Sequence, residues 1–247
     1  MNIAVNIVGL ALASCLGLVH IFASQTQWLS SVPQRWWVSI AGGVSIAYIF
    51  LDILPELSHA QTEIQHSSIG MIGYLERHVY LLALLGLALF YGLEKLALRS
   101  RLYRTEEHGE DCTQPGIFWL HIVFFGIYNA ILGYLLRESE NHGLVACLLL
   151  FFALALHFIV NDVGLREHHK QTYDRIGRWL LAAAIVFGWA LGEAFQPNEA
   201  AVAAIWALVA GGIILNVLKE ELPEEQESHF GMFCAGAALY SAVLLTI

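Results

Sequence analysis

The chain has 247 residues, of which 57% are hydrophobic and only 13% are charged, and its mean hydropathy is +0.62. Soluble domains carry about 25% charged residues, so this composition excludes an ordinary soluble protein and predicts an all-α integral membrane protein. The net charge of −9 argues against nucleic acid as a partner, because binding to phosphates needs clustered Lys and Arg. The expected partner is the lipid bilayer.

A transmembrane helix needs about 20 mainly apolar residues to cross a hydrocarbon core about 30 Å thick. Eight segments meet this requirement, and we predict one transmembrane domain, 1–247, with eight spans. The predicted spans are 2–23, 36–57, 73–95, 115–136, 143–164, 177–196, 199–219 and 228–247. The longest connection, 96–114, is hydrophilic and is predicted to be a loop.

Positively charged residues indicate the orientation of the spans, since Lys and Arg are enriched in cytoplasmic loops. Ten of the twelve Lys and Arg residues lie in the first, third, fifth and seventh loops, and only Arg77 and Arg137 lie in the others. The odd-numbered loops, including 96–114, are therefore predicted to be cytoplasmic and both termini to lie outside. We expect a multi-pass protein of the plasma (inner) membrane.

Two pairs of segments are similar to each other. AGGVSIAYIFLDILPEL at 41–57 resembles AGGIILNVLKEELPEE at 210–225, and LHIVFFG at 120–126 resembles LHFIVND at 156–162. The members of each pair lie on spans that run in opposite directions, as in transporters whose inverted repeats meet at the substrate site. We therefore predict inverted repeats, spans 1–3 against spans 6–8, with spans 4 and 5 central. Chance similarity between short apolar strings is the alternative.

The fifth predicted span carries His157, Asn161 and Asp162 in its last third. An Asp costs about 2.5–3.5 kcal/mol at the bilayer centre on insertion scales, so such residues usually line an ion pathway. At a rise of 1.5 Å per residue, His121 in the fourth span lies at about the depth of His157, and the two imidazoles could share a metal ion. The alternative is that each histidine only makes hydrogen bonds between helices.

A second group of polar residues lies nearer the predicted outer side. Asn129 follows His121 by two helical turns, and Asp52 and Glu193 lie at similar heights in their spans, so these three residues could form an outer binding station for a cation. Carboxylates solvated at the membrane interface are the alternative. The predicted metal ligands are His121, His157, Asn161, Asp162, Asn129, Asp52 and Glu193. No catalytic residue and no cofactor is predicted.

The quoted motifs resemble those of the ZIP family of divalent-metal transporters. The segment at 42–57 is similar to the family's second span, LFYGLEKL at 89–96 to the end of its third span, and 210–225 to its seventh span. The resemblance implies eight spans and a metal site formed by the fourth and fifth spans through patterns such as HNxxDG and HxxPE. It also implies transport of zinc or a similar divalent cation toward the cytoplasm by alternating access, with the metal as substrate.

Two ligand positions differ from the family's pattern. His121 and His157 match it, whereas Phe125 and Asn161 stand where the family has acidic ligands. Fewer anionic ligands should weaken divalent binding or change the preferred metal, so a non-transporting relative that acts as a metal sensor or structural membrane protein stays open. A membrane-embedded hydrolase with zinc on His121, His157 and Asp162 is a further alternative. We expect no enzymatic activity, because neither HExxH nor HxxxH occurs; a homodimer is left open.

His20 lies near the predicted cytoplasmic end of the first span, and His168 and His169 lie in the fifth loop. Interfacial or loop residues are usually solvated, and we expect the same of these three histidines. The alternatives are that His20 contacts a leaving cation and that the His168–His169 pair releases or senses metal.

Overall fold

The computed structural model describes residues 3–22, 34–66, 78–195, 199–221 and 229–245. Within these ranges the chain forms helices joined by short turns and contains no β-strand. The α-helices are α1 (Ile3–Phe22), α2 (Gln34–Tyr48), α3 (Leu54–His66), α4 (Val79–His108), α5 (Pro115–Ser139), α6 (Leu144–Thr172), α7 (Arg178–Ala194), α8 (Glu199–Asn216) and α9 (Phe230–Leu245). The π-helical turns Ile49–Ile53, Tyr173–Gly177 and Val217–Glu221 interrupt or extend them.

Several helices have the length and composition of membrane spans. Five helical segments are long and apolar enough to cross a membrane, and two shorter helices are apolar as well. The five are Ser39–Thr62, Val79–Glu107, Pro115–Ser139, Leu144–Ala194 and Ala200–Lys219, and the two are Ile7–Phe22 and Phe230–Leu245. Large apolar side chains such as Phe152 and Phe187 are exposed on the outer faces, as expected for contact with lipid. The predicted all-helical, membrane-type character is confirmed at this level.

The segment Leu144–Ala194 has 51 residues, which at 1.5 Å per residue is more than twice the thickness of a hydrocarbon core of about 30 Å. It is broken at Lys170, whose φ of 49° and ψ of −127° are not helical, and the π-turn Tyr173–Gly177 follows. The two spans predicted at 143–164 and 177–196 therefore lie on opposite sides of this break. The chain between them is helical rather than a loop, and α4 likewise continues to His108 within the predicted loop 96–114.

The chain divides into two compact units. The first unit contains α1 and the chain from Tyr91 to the end of α7, and the second contains α2, α3, the part of α4 up to Phe90, α8 and α9. In the first unit α7 packs against α5 and α1, and α1 also packs against α6. In the second unit α2 packs against α9, and α3 packs against α8.

Pairs of helices cross at glycines that face each other. A Cβ atom on Gly133 of α5 would lie 2.1 Å from the carbonyl oxygen of Ile185 in α7, and one on Gly188 of α7 would lie 1.8 Å from that of Ala130 in α5. These distances are far below any real carbon–oxygen contact, so only glycine allows the two backbones to come this close. The same reciprocal arrangement joins Gly43 with Gly236 and Gly86 with Gly211 in the second unit. We call these three places the glycine crossings.

Candidate cation site

Four polar side chains meet inside the first unit, where α1, α5 and α6 come together. They are His20 of α1, Asn129 of α5, Asp162 of α6 and Tyr173 of the following π-turn, and each is at most 1% exposed. The ring of His20 also stacks on Phe158, with ring centroids 4.4 Å apart. We call these four residues the His20 cluster.

Hydrogen bonds connect all members of the His20 cluster. The Nδ1 atom of His20 lies 2.9 and 3.0 Å from the two carboxylate oxygens of Asp162, and its Nε2 atom lies 2.8 Å from the side-chain oxygen of Asn129. The hydroxyl of Tyr173 donates to Oδ1 of Asp162 at 2.5 Å. A buried carboxylate is expensive unless it is paired and hydrogen-bonded, and this network supplies both kinds of partner to Asp162.

The hydrogen-bond directions in the cluster require a proton between His20 and Asp162. The amide nitrogen of Asn129 donates to the backbone carbonyl of Phe125 at 2.8 Å, and because a carbonyl can only accept, the amide oxygen must face His20. His20 therefore donates from Nε2 to this oxygen. Its Nδ1 faces a carboxylate, so either the ring carries a second proton or Asp162 is protonated. In both cases His20 and Asp162 together carry no net charge.

Buried side chains follow one face of α6 and of the π-turn after it. Phe158, Asp162, Leu165, His169 and Tyr173 are all buried and follow each other at intervals of three or four residues. This interval is the period of one helix face. The face continues through the break, so Tyr173 still reaches Asp162 three turns earlier.

A second buried cluster surrounds His121, which the sequence predicts as a metal ligand. His121 is fully buried, and its Nε2 atom donates to the carbonyl oxygen of Leu93 at 2.8 Å. Its Nδ1 atom lies 3.1 Å from Nε2 of His169, whose Nδ1 atom lies 2.5 Å from the hydroxyl oxygen of Thr113. We call His121, His169 and Thr113 the His121 cluster. A cavity of about 260 Å³ lies beside it, lined among others by Thr113, His169 and Cys112.

His157, the other histidine predicted to hold the shared ion, has different partners. Its Nε2 atom lies 2.9 Å from the hydroxyl oxygen of Tyr128 and 3.0 Å from the amide nitrogen of Asn161. Ring contacts lead from His121 through Phe125 and Tyr128 to His157, with centroid separations of 6.0, 6.2 and 6.1 Å. His157 is thus within hydrogen-bonding distance of Tyr128 and Asn161, whereas His121 bonds to Leu93 and His169.

Of the three residues predicted as an outer station, two lie in the first unit with different partners and one lies in the second unit. Asn129 belongs to the His20 cluster, and Asp52 lies in the second unit, in its π-turn Ile49–Ile53. Glu193 accepts a hydrogen bond from Nε of the buried Arg137 at 2.6 Å, so a basic side chain already neutralises its charge.

Glu140 lies beside this ion pair, and its carboxylate accepts a hydrogen bond from the indole of Trp189 at 2.7 Å. Burial raises the pKa of the Glu140 carboxyl, while the hydrogen bond from Trp189 and the charge of Arg137 act in the opposite direction. Two carboxylates and one guanidinium therefore share this end of the first unit.

Among the residues that the structure describes, no group of three or more His, Cys, Asp or Glu side chains is arranged to hold a metal ion. The His20 cluster offers one imidazole and one carboxylate, together with an amide and a phenol oxygen. Metal binding by the seven residues predicted from the sequence stays a prediction.

The burial of His20, Tyr173 and His169 in these clusters is not predicted from the sequence. His20 and His169 were expected to be solvated, yet they are 1% and 2% exposed. His169 and Tyr173 follow Leu165 at intervals of four residues within a polar stretch. This spacing continues the buried face of α6 and could have revealed both residues. Nothing in the sequence around His20 indicates its partners.

No protein-family model matches the chain, and no curated protein shows significant similarity to it. The ZIP resemblance therefore remains an expectation that depends on the short motifs quoted above. The function has to be argued from the buried clusters and from the helices that carry them.

Proposed function

We propose that the protein is a ZIP-like membrane transporter that moves divalent metal cations, zinc or a similar ion, toward the cytoplasm. The observation that carries this proposal is the His20 cluster, which buries an ionisable pair among helices of membrane-spanning composition. Ionisable residues within membrane spans are expensive and usually mark an ion pathway or a proton relay.

The chemistry of the cluster suits a divalent cation as substrate. Imidazole nitrogen and carboxylate oxygen are both ligands of zinc, and amide oxygen is a ligand of harder divalent ions. His20 and Asp162 together carry no net charge in the resting hydrogen-bond pattern. An arriving divalent cation would therefore displace the proton between them, so that the neutral imidazole and the carboxylate hold the ion with a net charge of +1 instead of +2.

Eight membrane spans with both termini outside remain part of the proposal. The break at Lys170 divides the longest apolar segment into two parts that are each long enough to cross a bilayer, which brings the five long segments to six. The shorter apolar helices α1 and α9 make eight. The distribution of Lys and Arg supports a cytoplasmic location for the connection between α4 and α5.

The inverted repeats are supported by a shared backbone feature. The similar segments 41–57 and 210–225 each contain a five-residue π-turn, Ile49–Ile53 in the first and Val217–Glu221 in the second. Each π-turn ends two residues before a proline of the sequence, Pro55 or Pro223. Because π-helical residues make up well under 1% of proteins, a common position for both turns favours a repeat over chance similarity.

A non-transporting relative that senses metal or serves as a structural membrane protein is the second candidate. One observation favours it: within the described ranges no three strong ligands converge, and the members of the His20 cluster are already hydrogen-bonded to one another. A site that must break these bonds before it binds a cation would bind more weakly than a preformed one.

Zinc uptake into proteoliposomes tests the proposal. We would compare the wild-type protein with Asp162→Asn and with the control Asp111→Asn, which makes the same change at an exposed loop residue. We expect saturable uptake for the wild type and the control. Loss of one charged ligand should reduce uptake by about tenfold or more, since each 1.4 kcal/mol is a factor of about ten in binding.

Two results would count against the proposal. If the folded and inserted wild-type protein takes up none of zinc, iron, manganese or cobalt, the non-transporting alternative is favoured. If uptake occurs and Asp162→Asn transports like Asp111→Asn, the pathway does not use the His20 cluster.

A further inference from the structure

We propose that His121 and His169 form a second binding site, for a divalent transition-metal ion, beside the cavity at the end of the first unit. This site is separate from the His20 cluster, and it requires no transport. A protein that failed to carry zinc across a membrane would still bind the ion here.

The facing nitrogens of the two rings lie almost as far apart as two ligands of one ion. Nδ1 of His121 and Nε2 of His169 face each other at 3.1 Å. Two nitrogen ligands on a tetrahedral zinc ion, with bonds of about 2.0–2.1 Å, lie about 3.3–3.4 Å apart. A small increase in this separation would make room for an ion bound to both nitrogens. Since His121 donates from Nε2, the proton between the rings is on Nε2 of His169. As the ion binds, this proton leaves to solvent and Nδ1 of His169 takes up a proton from solvent, so the ring stays neutral and donates to the Thr113 hydroxyl.

Both rings are also held by their other nitrogen. A histidine that binds a metal almost always donates its second N–H group to an oxygen, which fixes the tautomer and the ring orientation. His121 already donates from Nε2 to the carbonyl of Leu93, and Nδ1 of His169 lies within hydrogen-bonding distance of the Thr113 hydroxyl. The outer nitrogens are thus anchored, while the two inner nitrogens face each other at 3.1 Å.

In the proposal, water fills the remaining coordination positions of the ion. His168 and Glu94 lie next to the cluster, with Nε2 of His168 3.4 Å from the carboxylate of Glu94. The Nδ1 atom of His168 is buried and has no hydrogen-bond partner, which is unfavourable for a polar atom. In the proposal, a water bound to the ion is the partner of this nitrogen. His169 and Thr113 line the cavity, and the proposal takes the water for these positions from it.

The ligand set defines the class of ion. Two imidazoles with water select zinc, copper, nickel or cobalt over magnesium and calcium, which prefer oxygen ligands. Affinity should follow the usual order, with copper(II) above zinc. Copper(II) is therefore a sensitive probe, and the number of nitrogen ligands can be read from its electron paramagnetic resonance spectrum.

The test is copper(II) titration of the purified full-length protein in detergent, without a histidine tag. We expect one equivalent of copper with two coordinated imidazole nitrogens, lost in His121→Gln and in His169→Gln. His78→Gln, a control at an exposed histidine of the second unit, should bind as the wild type does. Thr113→Val removes only an anchoring oxygen and should weaken binding by about 10–100-fold.

The proposal is overturned if His169→Gln binds copper with wild-type affinity and spectrum. If either glutamine variant aggregates, the electron paramagnetic resonance spectrum of the wild-type protein decides. A spectrum with fewer than two coordinated nitrogens contradicts binding by His121 and His169. Competition by zinc but not by magnesium is expected, and equal competition by both ions would also refute it. Asp162→Asn should retain the site, which separates this result from the fate of the proposed transport function.

Discussion

The glycine crossing of α5 and α7 allows a stability prediction with a matched control on the same helix. In Gly133→Ala, the new Cβ atom would lie 2.1 Å from the carbonyl oxygen of Ile185 and 2.9 Å from the backbone nitrogen of Trp189, whereas ordinary contact begins at 3.4 Å. The helices must therefore separate by about 1.3 Å, and overpacking of this kind costs about 1–3 kcal/mol. Gly126→Ala, two turns earlier on α5, meets nothing within 4 Å.

Both variants gain the same helix propensity, about 0.5–1 kcal/mol for alanine over glycine, so this gain cancels in the comparison. Gly133→Ala should be less stable than Gly126→Ala by the overpacking cost alone. At about 2–4 °C per kcal/mol for a chain of this size, the melting temperatures in detergent should differ by about 2–12 °C. Thermal unfolding followed by circular dichroism measures this difference. Equal melting temperatures would refute the close approach of α5 and α7.

Three further predictions concern individual residues. Tyr173→Phe removes the hydrogen bond to the Asp162 carboxylate. It should lower the unfolding free energy in denaturant titrations by about 1.5–3 kcal/mol. An unchanged unfolding free energy would show that Asp162 does not need this donor. The Arg101 guanidinium, helped by Lys170, lowers the pKa of the exposed Asp111 carboxyl from 3.8 to about 2. The ion pairs of Asp111 should therefore stabilise the protein above pH 3.8 and lose this effect as the pH falls through about 2. The wild-type protein should melt at a higher temperature than Asp111→Asn above pH 3.8, and this difference should vanish as the pH falls to about 2. A difference that stays constant over this range would contradict a stabilising role of these ion pairs. Lys170→Gly should be more stable than Lys170→Ala by about 1–3 kcal/mol in the same denaturant titrations. The reason is that only glycine adopts the backbone angles of this break without strain. Both variants lose the ion pair between Lys170 and Asp111, so that loss cancels in the comparison.

The helical, membrane-type architecture could be predicted from the sequence, because long apolar stretches leave the chain few other ways to satisfy its backbone hydrogen bonds. The contact between His157 and Asn161 could also be predicted, since residues four apart share a helix face. Both follow from local spacing along one helix.

The partners of buried polar residues on different helices could not be predicted in this way. Each residue advances the direction of its side chain by about 100° around a helix, so Asn161 and Asp162 face different neighbours although they are adjacent. Asn161 contacts His157, whereas Asp162 contacts His20, which is 142 positions away in the chain. The rotation of α6 about its axis decides this outcome, and tertiary packing sets that rotation.

The extent of the helices was also underestimated from composition. The stretch around His169 is rich in charged residues and therefore resembles a loop, yet it continues α6 because one face stays buried. Hydropathy averaged over a window cannot detect such a face when the other faces are solvated. The resulting burial of His169 is what brings it to His121.

The glycine crossings also have an evolutionary consequence. At Gly133 and Gly188 any added side chain collides with backbone atoms, so substitution of either glycine is penalised unless both helices move together. Side chains that face lipid carry no comparable constraint and can change freely. A distant descendant of the same ancestor should therefore retain its paired glycines, together with their separation along the chain, long after its other motifs have diverged beyond recognition.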